Sequence, residues 1–160
     1  MVIVYTSNMY SKIMVPLDGS KLSEKAIDPA FEIAQHRKAE VFLVRAFEPT
    51  ILPPAAQGFV DQGALHEQER ADIEKYLKSR IPKDRERCSV AVLEGPAAAA
   101  VLKFAESREI ELIVLTTRGS TGLERWLLGS VAERISRHAP CPVLSIGQKT
   151  LRALESKLET

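Results

Sequence analysis

Two segments of the chain carry residue types that could bind a polar or anionic ligand. The first is residues 16–20, in which Asp18 and Gly19 follow an apolar run. The second is residues 115–122, rich in threonine and glycine, followed after a short apolar segment by residues 129–131 at the start of a helical pattern. Glycines let the backbone approach a phosphate, and the amide groups and dipole of a helix N-terminus attract an anion. This spacing predicts a path for a pyrophosphate group.

The same residues also have purely structural interpretations, which the sequence leaves open. Asp18 or Ser20 could cap the following helix while Gly19 makes the turn, and such a cap is worth roughly 1 kcal/mol. Residues 130–133 read Ser-Val-Ala-Glu, a capping box in which serine and glutamate satisfy each other's backbone amides. Arg118 could contact phosphate or simply be solvated. If Asp18 is functional, it would accept hydrogen bonds from an amino group or a ribose hydroxyl.

The chain lacks the common nucleotide fingerprints and any recognisable catalytic set. It contains neither Gly-x-x-x-x-Gly-Lys-Ser/Thr nor Gly-x-Gly-x-x-Gly, which excludes the P-loop and standard dinucleotide mechanisms. The 2 cysteines and 3 histidines are not spaced as metal ligands, and no Ser-His-Asp set or carboxylate pair can be assembled. We therefore expect a binding protein, not an enzyme, with no catalytic residue and no protein-held metal.

The length and charge of the chain exclude further classes of protein. A chain of 160 residues that is 45% hydrophobic is long enough for one core. Lys plus Arg total 22 and Asp plus Glu total 21, so a net charge of +1 gives no attraction to nucleic acid or anionic lipid. The apolar runs are far shorter than the roughly 20 residues that span a bilayer, and the N-terminus lacks a signal-peptide pattern. We expect a cytoplasmic protein that binds neither nucleic acid nor membrane.

Apolar runs of strand length alternate with amphipathic stretches, which predicts an α/β chain with a parallel sheet. The predicted strands are residues 12–17, 40–47, 88–93, 111–115 and 143–146. Helices are predicted over residues 21–36, 64–80 and 97–108, and from Ser130 to before Pro140. Pro29 should cause a kink or a local loss of hydrogen bonding in the first helix near Asp28, because proline removes a backbone donor and crowds the preceding turn.

The opening segment, residues 12–20, resembles that of the universal stress protein family. Residues 119–146 resemble the closing segment of the same family, most closely over residues 127–134 and 138–144. The likeness covers residues 9–147, which we expect to form one domain. Residues 1–8 would then be an N-terminal extension, and residues 148–160 a tail that could hold a short helix.

The resemblance implies a doubly wound, Rossmann-like fold in which a five-stranded parallel sheet, in the order 3-2-1-4-5, has helices on both faces. It also implies a homodimer. The last strand, with Val143, Leu144 and Ile146, would lie at a sheet edge whose unpaired backbone groups invite pairing with a second copy.

The family has two branches that differ in whether they bind ATP, and the binding branch carries the motif Gly-x-x-Gly-x9-Gly-Ser/Thr. Here Gly119 and Gly129-Ser130 match the motif, whereas Thr116 replaces its first glycine. By this resemblance Asp18 and the backbone of Ala46 would hold adenine. Two residues would line that end: Pro16 and Leu17. The ribose and phosphates would face a larger set, namely Leu115, Thr116, Arg118, Gly119, Gly129, Ser130 and Val131.

The resemblance therefore implies a dimeric stress-response or signalling module that binds ATP, ADP or AMP, with or without Mg. Two alternatives stay open: a dimeric interaction module that binds no nucleotide, which Thr116 makes credible, and a slow ATP hydrolase. The protein partner cannot be read from the sequence.

Overall fold

A single parallel sheet organises the computed structural model, which describes residues 10–53, 55, 61–83, 85, 87–117, 129–147 and 150. Its five strands are arranged in the order β3-β2-β1-β4-β5. Their bounds are β1 Lys12–Pro16, β2 Glu40–Phe47, β3 Cys88–Glu94, β4 Leu112–Thr116 and β5 Val143–Ile146. The predicted fold class and strand order are confirmed, and every predicted strand is present to within one residue at each end.

Helices cover both faces of the sheet, and consecutive strand residues point to opposite faces. The helices are α1 Lys21–Glu24, α2 Ile27–Arg37, α3 Gln62–Ser79, α4 Ala97–Ser107 and α5 Ser130–His138. Ile13 and Val15 of β1 pack with residues of α2 and α3, whereas Met14 packs with residues of α4 and α5. A strand covered on both sides must be apolar at every position, which explains the unbroken run at residues 13–15.

The first predicted helix is divided in two. The break lies at residues 25–26, between α1 and α2, and not near Asp28 as predicted. Across it, the amides of Lys25 and Ala26 donate to the carbonyls of Leu22 and Ser23, each at 3.1 Å. Pro29 then falls in the first turn of α2, where an amide has no intrahelical acceptor in any case. The helix therefore restarts ahead of the proline, which costs it no hydrogen bond.

Some predictions concern segments outside the described residues. They are the N-terminal extension at residues 1–8 and, apart from residue 150, the tail at residues 148–160. In the described part of the chain, no helix combines the length and apolar character needed to cross a membrane. The cytoplasmic location inferred from the sequence stays a prediction.

The central strands should dominate the stability of the fold. Ile113 of β4 is fully buried, so Ile113→Ala should lower the free energy of unfolding by about 2–5 kcal/mol, because it removes buried methyl groups and leaves a cavity. Ile51, which is 81% exposed, provides the control. Ile51→Ala should change the free energy by no more than about 0.5 kcal/mol. Urea denaturation followed by circular dichroism measures both, and equal losses would contradict this account.

Candidate functional site

A cavity of about 360 Å³ lies at the carboxyl ends of β1, β2 and β4. β1 pairs with β2 on one side and with β4 on the other, so the direction of winding reverses at this point. Loops that leave neighbouring strands on opposite sides of such a switch point open a crevice, where doubly wound proteins bind ligands. Nine residues predicted from the sequence line this cavity: Pro16, Leu17, Asp18, Ala46, Leu115, Thr116, Gly129, Ser130 and Val131. The two others, Arg118 and Gly119, lie outside the described residues.

The turn between β1 and α1, residues 18–20, forms one wall of the cavity. Oδ1 of Asp18 accepts a hydrogen bond from the amide of Ser20 at 2.8 Å. Ser20 is the N-cap of α1, and its hydroxyl accepts from the amide of Ser23 at 3.1 Å. Gly19 has φ +88°, a left-handed conformation that favours glycine. The structural and the ligand-binding interpretations of Asp18 are compatible. Asp18 stabilises the turn through its hydrogen bond with Ser20, and Ser20 supplies the cap of the helix.

The Asp18 carboxylate is a charged acceptor at the cavity wall. Burial raises the pKa of Asp18, but hydrogen bonds with Ser20 and Ser23 together outweigh burial, so the pKa lies below the usual 3.8. The carboxyl group is therefore ionised at neutral pH. An ionised carboxylate only accepts hydrogen bonds, so this wall suits a ligand that presents N–H or O–H groups.

The N-terminus of α5 also lines the cavity. Gly129 is the N-cap, with φ −59° and ψ 150°, and no side chain among the described residues caps this helix. The first intrahelical bond runs from the amide of Glu133 to the carbonyl of Gly129 at 2.9 Å. The amides of the first turn therefore have no acceptor within the helix, and the helix dipole gives this end a partial positive charge.

The predicted capping box at residues 130–133 is wrong. That motif needs serine at the extended N-cap position, but Gly129 occupies it and Ser130 is already the first helical residue. The Glu133 carboxylate instead pairs with Arg137 one turn later, at 2.8 Å. The helix terminus is thus left open toward the cavity.

Thr116 ends β4 and lines the cavity, where the resemblance places the first motif glycine. It is half-buried and pairs in register with Ile146 of β5. The next residue, Thr117, is buried, and within the described part of the chain its hydroxyl has no hydrogen-bond partner. Two hydroxyl side chains therefore stand at the point where β4 leaves the sheet.

Sequence reasoning missed several residues of the cavity, most notably Ser23 and Arg45. Ser23 lies three residues after the N-cap, and its hydroxyl accepts from the Asp18 amide at 3.3 Å. Arg45 precedes Ala46 at the end of β2 and is the one cationic residue among the described lining residues. Its adjacency to Ala46 was the available signal. As for metals, the described residues hold no cluster of three or more His, Cys, Asp or Glu that could bind one.

The fold and site define a parallel α/β protein with a cavity at the switch point of its sheet. Residues 9–146 match the family model described as "Universal stress protein family". The chain therefore belongs to the universal stress protein family.

Individual relatives agree with this assignment. A universal stress protein of Methanocaldococcus jannaschii is 38% identical over 141 residues, covering 87% of this chain and 83% of the relative. The structure of the universal stress protein UspA from Lactobacillus plantarum superposes with a TM-score of 0.68 at 24% identity, covering 86% of this chain and 97% of the other. A universal stress protein from Archaeoglobus fulgidus, solved in complex with dAMP, has a TM-score of 0.57 at 20% identity, with coverages of 86% and 98%. The two structures support the fold.

A side chain at Gly19 should destabilise the turn at residues 18–20 and displace the guanidinium of Arg45. An added Cβ would lie 2.8 Å from Nη1 of Arg45, in a backbone conformation that already costs other residues about 1–2 kcal/mol. Gly95 also has a positive φ, +114°, but a Cβ there would meet nothing within 4 Å. Gly19→Ala should therefore lower the free energy of unfolding by roughly 1 kcal/mol more than Gly95→Ala does. Urea denaturation measures both variants, and a larger loss for Gly95→Ala would refute the packing argument.

Proposed function

We propose that this universal stress protein binds an adenine nucleotide, namely ATP, ADP or AMP, in the cavity at the switch point. The nucleoside would lie toward Asp18 and Ala46, and the phosphates toward Gly129 and the first turn of α5. In this role the protein is a regulatory module that changes state with nucleotide occupancy. The described cavity residues offer no assembled base, nucleophile and metal ligands, so turnover of the nucleotide is not part of the proposal.

Gly129 carries the proposal. Its φ of −59° is open to any residue, and a Cβ added there would meet nothing within 4 Å. Neither backbone conformation nor packing against described atoms therefore requires glycine at this position. A ligand would supply the reason, because a glycine at the N-cap leaves the amides of the helix terminus accessible to a phosphate.

The other end of the cavity suits a nucleoside. Adenine has an exocyclic amino group and ribose has hydroxyls, and either can donate to the ionised Asp18. The apolar residues Leu17, Val44 and Val101 also line the cavity, as expected for a site that receives a base or sugar face. The Archaeoglobus fulgidus relative solved with dAMP supports an adenine nucleotide as the ligand of this fold.

Replacement of Gly129 tests the proposal directly. Gly129→Val should reduce ATP affinity by about a hundredfold or more, because a branched side chain would block the phosphates. Ala99→Val is the control, since Ala99 is exposed in the first turn of α4 and lies outside the cavity. Isothermal calorimetry with and without Mg measures binding, and circular dichroism checks the fold. Unchanged affinity in a folded Gly129→Val variant would refute the assignment of the phosphate end.

The alternative function is a dimeric interaction module without nucleotide. Thr116 favours it, because its side chain stands where the nucleotide-binding branch of the family has glycine. The ATP-binding assay described above distinguishes nucleotide binding from this alternative. A wild-type protein that binds no ATP, combined with a Thr116→Gly variant that does, would establish the alternative for the natural chain.

We also propose a homodimer through β5. This strand is at the sheet edge and pairs only with β4 among the described strands. Leu144 is 40% exposed there, whereas Ile146 is 4% exposed and already buried within the protomer. Of the three residues predicted for the interface, Leu144 is therefore the one whose apolar side chain is left for a partner. Backbone groups along an unpaired edge add to the tendency to pair.

A charge at Leu144 should break this dimer. Leu144→Glu would place like charges on the two copies, so the variant should sediment as a monomer at micromolar concentration while the wild type sediments as a dimer. Ile51→Glu, at an apolar position outside β5 that is 81% exposed, should leave the dimer intact. A wild type that sediments as a monomer, or a Leu144→Glu variant that stays dimeric, would show that β5 is not the interface.

A further inference from the structure

We propose that Arg45 is a positioning residue that holds the turn at residues 18–20, and through that turn the Asp18 carboxylate, in the geometry that receives the nucleoside. This inference rests on the proposed function, because it assigns a role in ligand binding to a side chain that the sequence motifs did not single out.

The first observation is the contact between Arg45 and the turn. The guanidinium lies against Gly19 so closely that a Cβ on Gly19 would be 2.8 Å from Nη1, 3.0 Å from Cζ and 3.1 Å from Nη2 of Arg45. Gly19 is favoured by its positive φ, and a side chain there would in addition have to displace the guanidinium. Asp18 and Gly19 are otherwise exposed, so Arg45 supports a turn that has little other packing.

The second observation is what holds Arg45 in place. Cζ of Arg45 lies 5.2 Å from the ring centroid of Tyr76 on α3, a cation–π contact. The Tyr76 hydroxyl donates to Oε1 of Glu24 at 3.1 Å, and Glu24 ends the same short helix that begins after the turn. Burial and the neighbouring Glu24 raise the pKa of Tyr76 to about 12, so this hydroxyl keeps its proton at neutral pH.

The third observation concerns the charge of Arg45. Among the described residues, its guanidinium has no carboxylate partner and no hydrogen-bond acceptor; it lies over the ring of Tyr76 and beside Gly19. Arg45 therefore acts by packing a planar group between α3 and the turn. A planar guanidinium fills such a slot in a way that a lysine ammonium cannot.

Together these contacts clamp the turn from two directions. Arg45, on β2, packs against Gly19. Tyr76, on α3, contacts the guanidinium of Arg45 through its ring and donates a hydrogen bond to Glu24 through its hydroxyl. Without Arg45 the turn could relax into the vacated space and move the Asp18 carboxylate. Displacement of a binding group by about 1 Å is enough to cost an order of magnitude or more in a preorganised site.

Arg45→Met removes the guanidinium but keeps an unbranched side chain for packing. It should weaken ATP binding about tenfold by calorimetry, a loss that arises through Asp18. Arg80→Met is the matched control, because Arg80 also stacks on Tyr76, at 5.4 Å, and pairs with Glu24 at 3.4 Å, yet does not line the cavity. This control should bind ATP within about twofold of the wild type, since the turn itself is untouched.

A double-mutant cycle with Asp18→Ala separates positioning from other roles. If Arg45 acts through Asp18, then Arg45→Met in the Asp18→Ala background should cost less than about twofold further. Additive losses would overturn the inference, because a direct ligand contact or a general loss of stability does not depend on Asp18. An unchanged affinity of Arg45→Met would overturn it while leaving the proposed function standing. A wild type that binds none of ATP, ADP and AMP would overturn both.

Discussion

The parallel pairing of β1 with β2 on one side and β4 on the other is the constraint on which the rest of the structure depends. Ile13, Met14 and Val15 are fully buried, so β1 can lie only at the centre, with helices on both faces. From that position the chain must wind in opposite directions on the two sides of β1. The crevice at its carboxyl end is therefore a consequence of the strand order, and the residues that follow β1 and β4 meet there whatever their chemistry.

Two segments that line the crevice differ in charge, one negative and the other partially positive. At the β1 end an ionised carboxylate, Asp18, stands in a turn shaped by a glycine and a serine cap. At the β4 end an uncapped helix terminus presents backbone amides through Gly129. A ligand with hydrogen-bond donors at one end and anionic groups at the other matches both walls at once. A nucleotide is such a molecule, and this polarity is a stronger argument for it than the volume of the cavity.

Sequence patterns were sufficient for the strands and for the strand order that the family resemblance implies, because these depend on local hydrophobicity and a recognisable motif. They also singled out nine residues that line the cavity, whereas Arg118 and Gly119 lie outside the described residues. Sequence patterns did not predict the contacts made by Arg45, where β2, the turn at residues 18–20 and α3 come together. Arg45 contacts Gly19 and Tyr76, which are far apart in sequence. A local sequence pattern cannot predict contacts between such distant residues. The capping box failed for a local reason, since Gly129 takes the N-cap position one residue earlier than Ser130. Proline did prevent one continuous helix at this point, as expected. The break lies before Pro29 because a new helix begins at Ile27 and places the proline in its first turn.

The end of β4 belongs to both proposed binding surfaces. Leu115 and Thr116 line the cavity, and the same two residues pair in register with Ser145 and Ile146 of the edge strand. The amide of Thr117 also donates to the carbonyl of Ile146 at 3.1 Å. A ligand that shifts the end of β4 would therefore shift the strand proposed to join two copies. By thermodynamic linkage any effect of the nucleotide on dimer affinity equals the effect of dimerisation on nucleotide affinity. Under the two proposals, this shared strand end would couple occupancy of the cavity to assembly, because the same residues of β4 line the cavity and pair with β5.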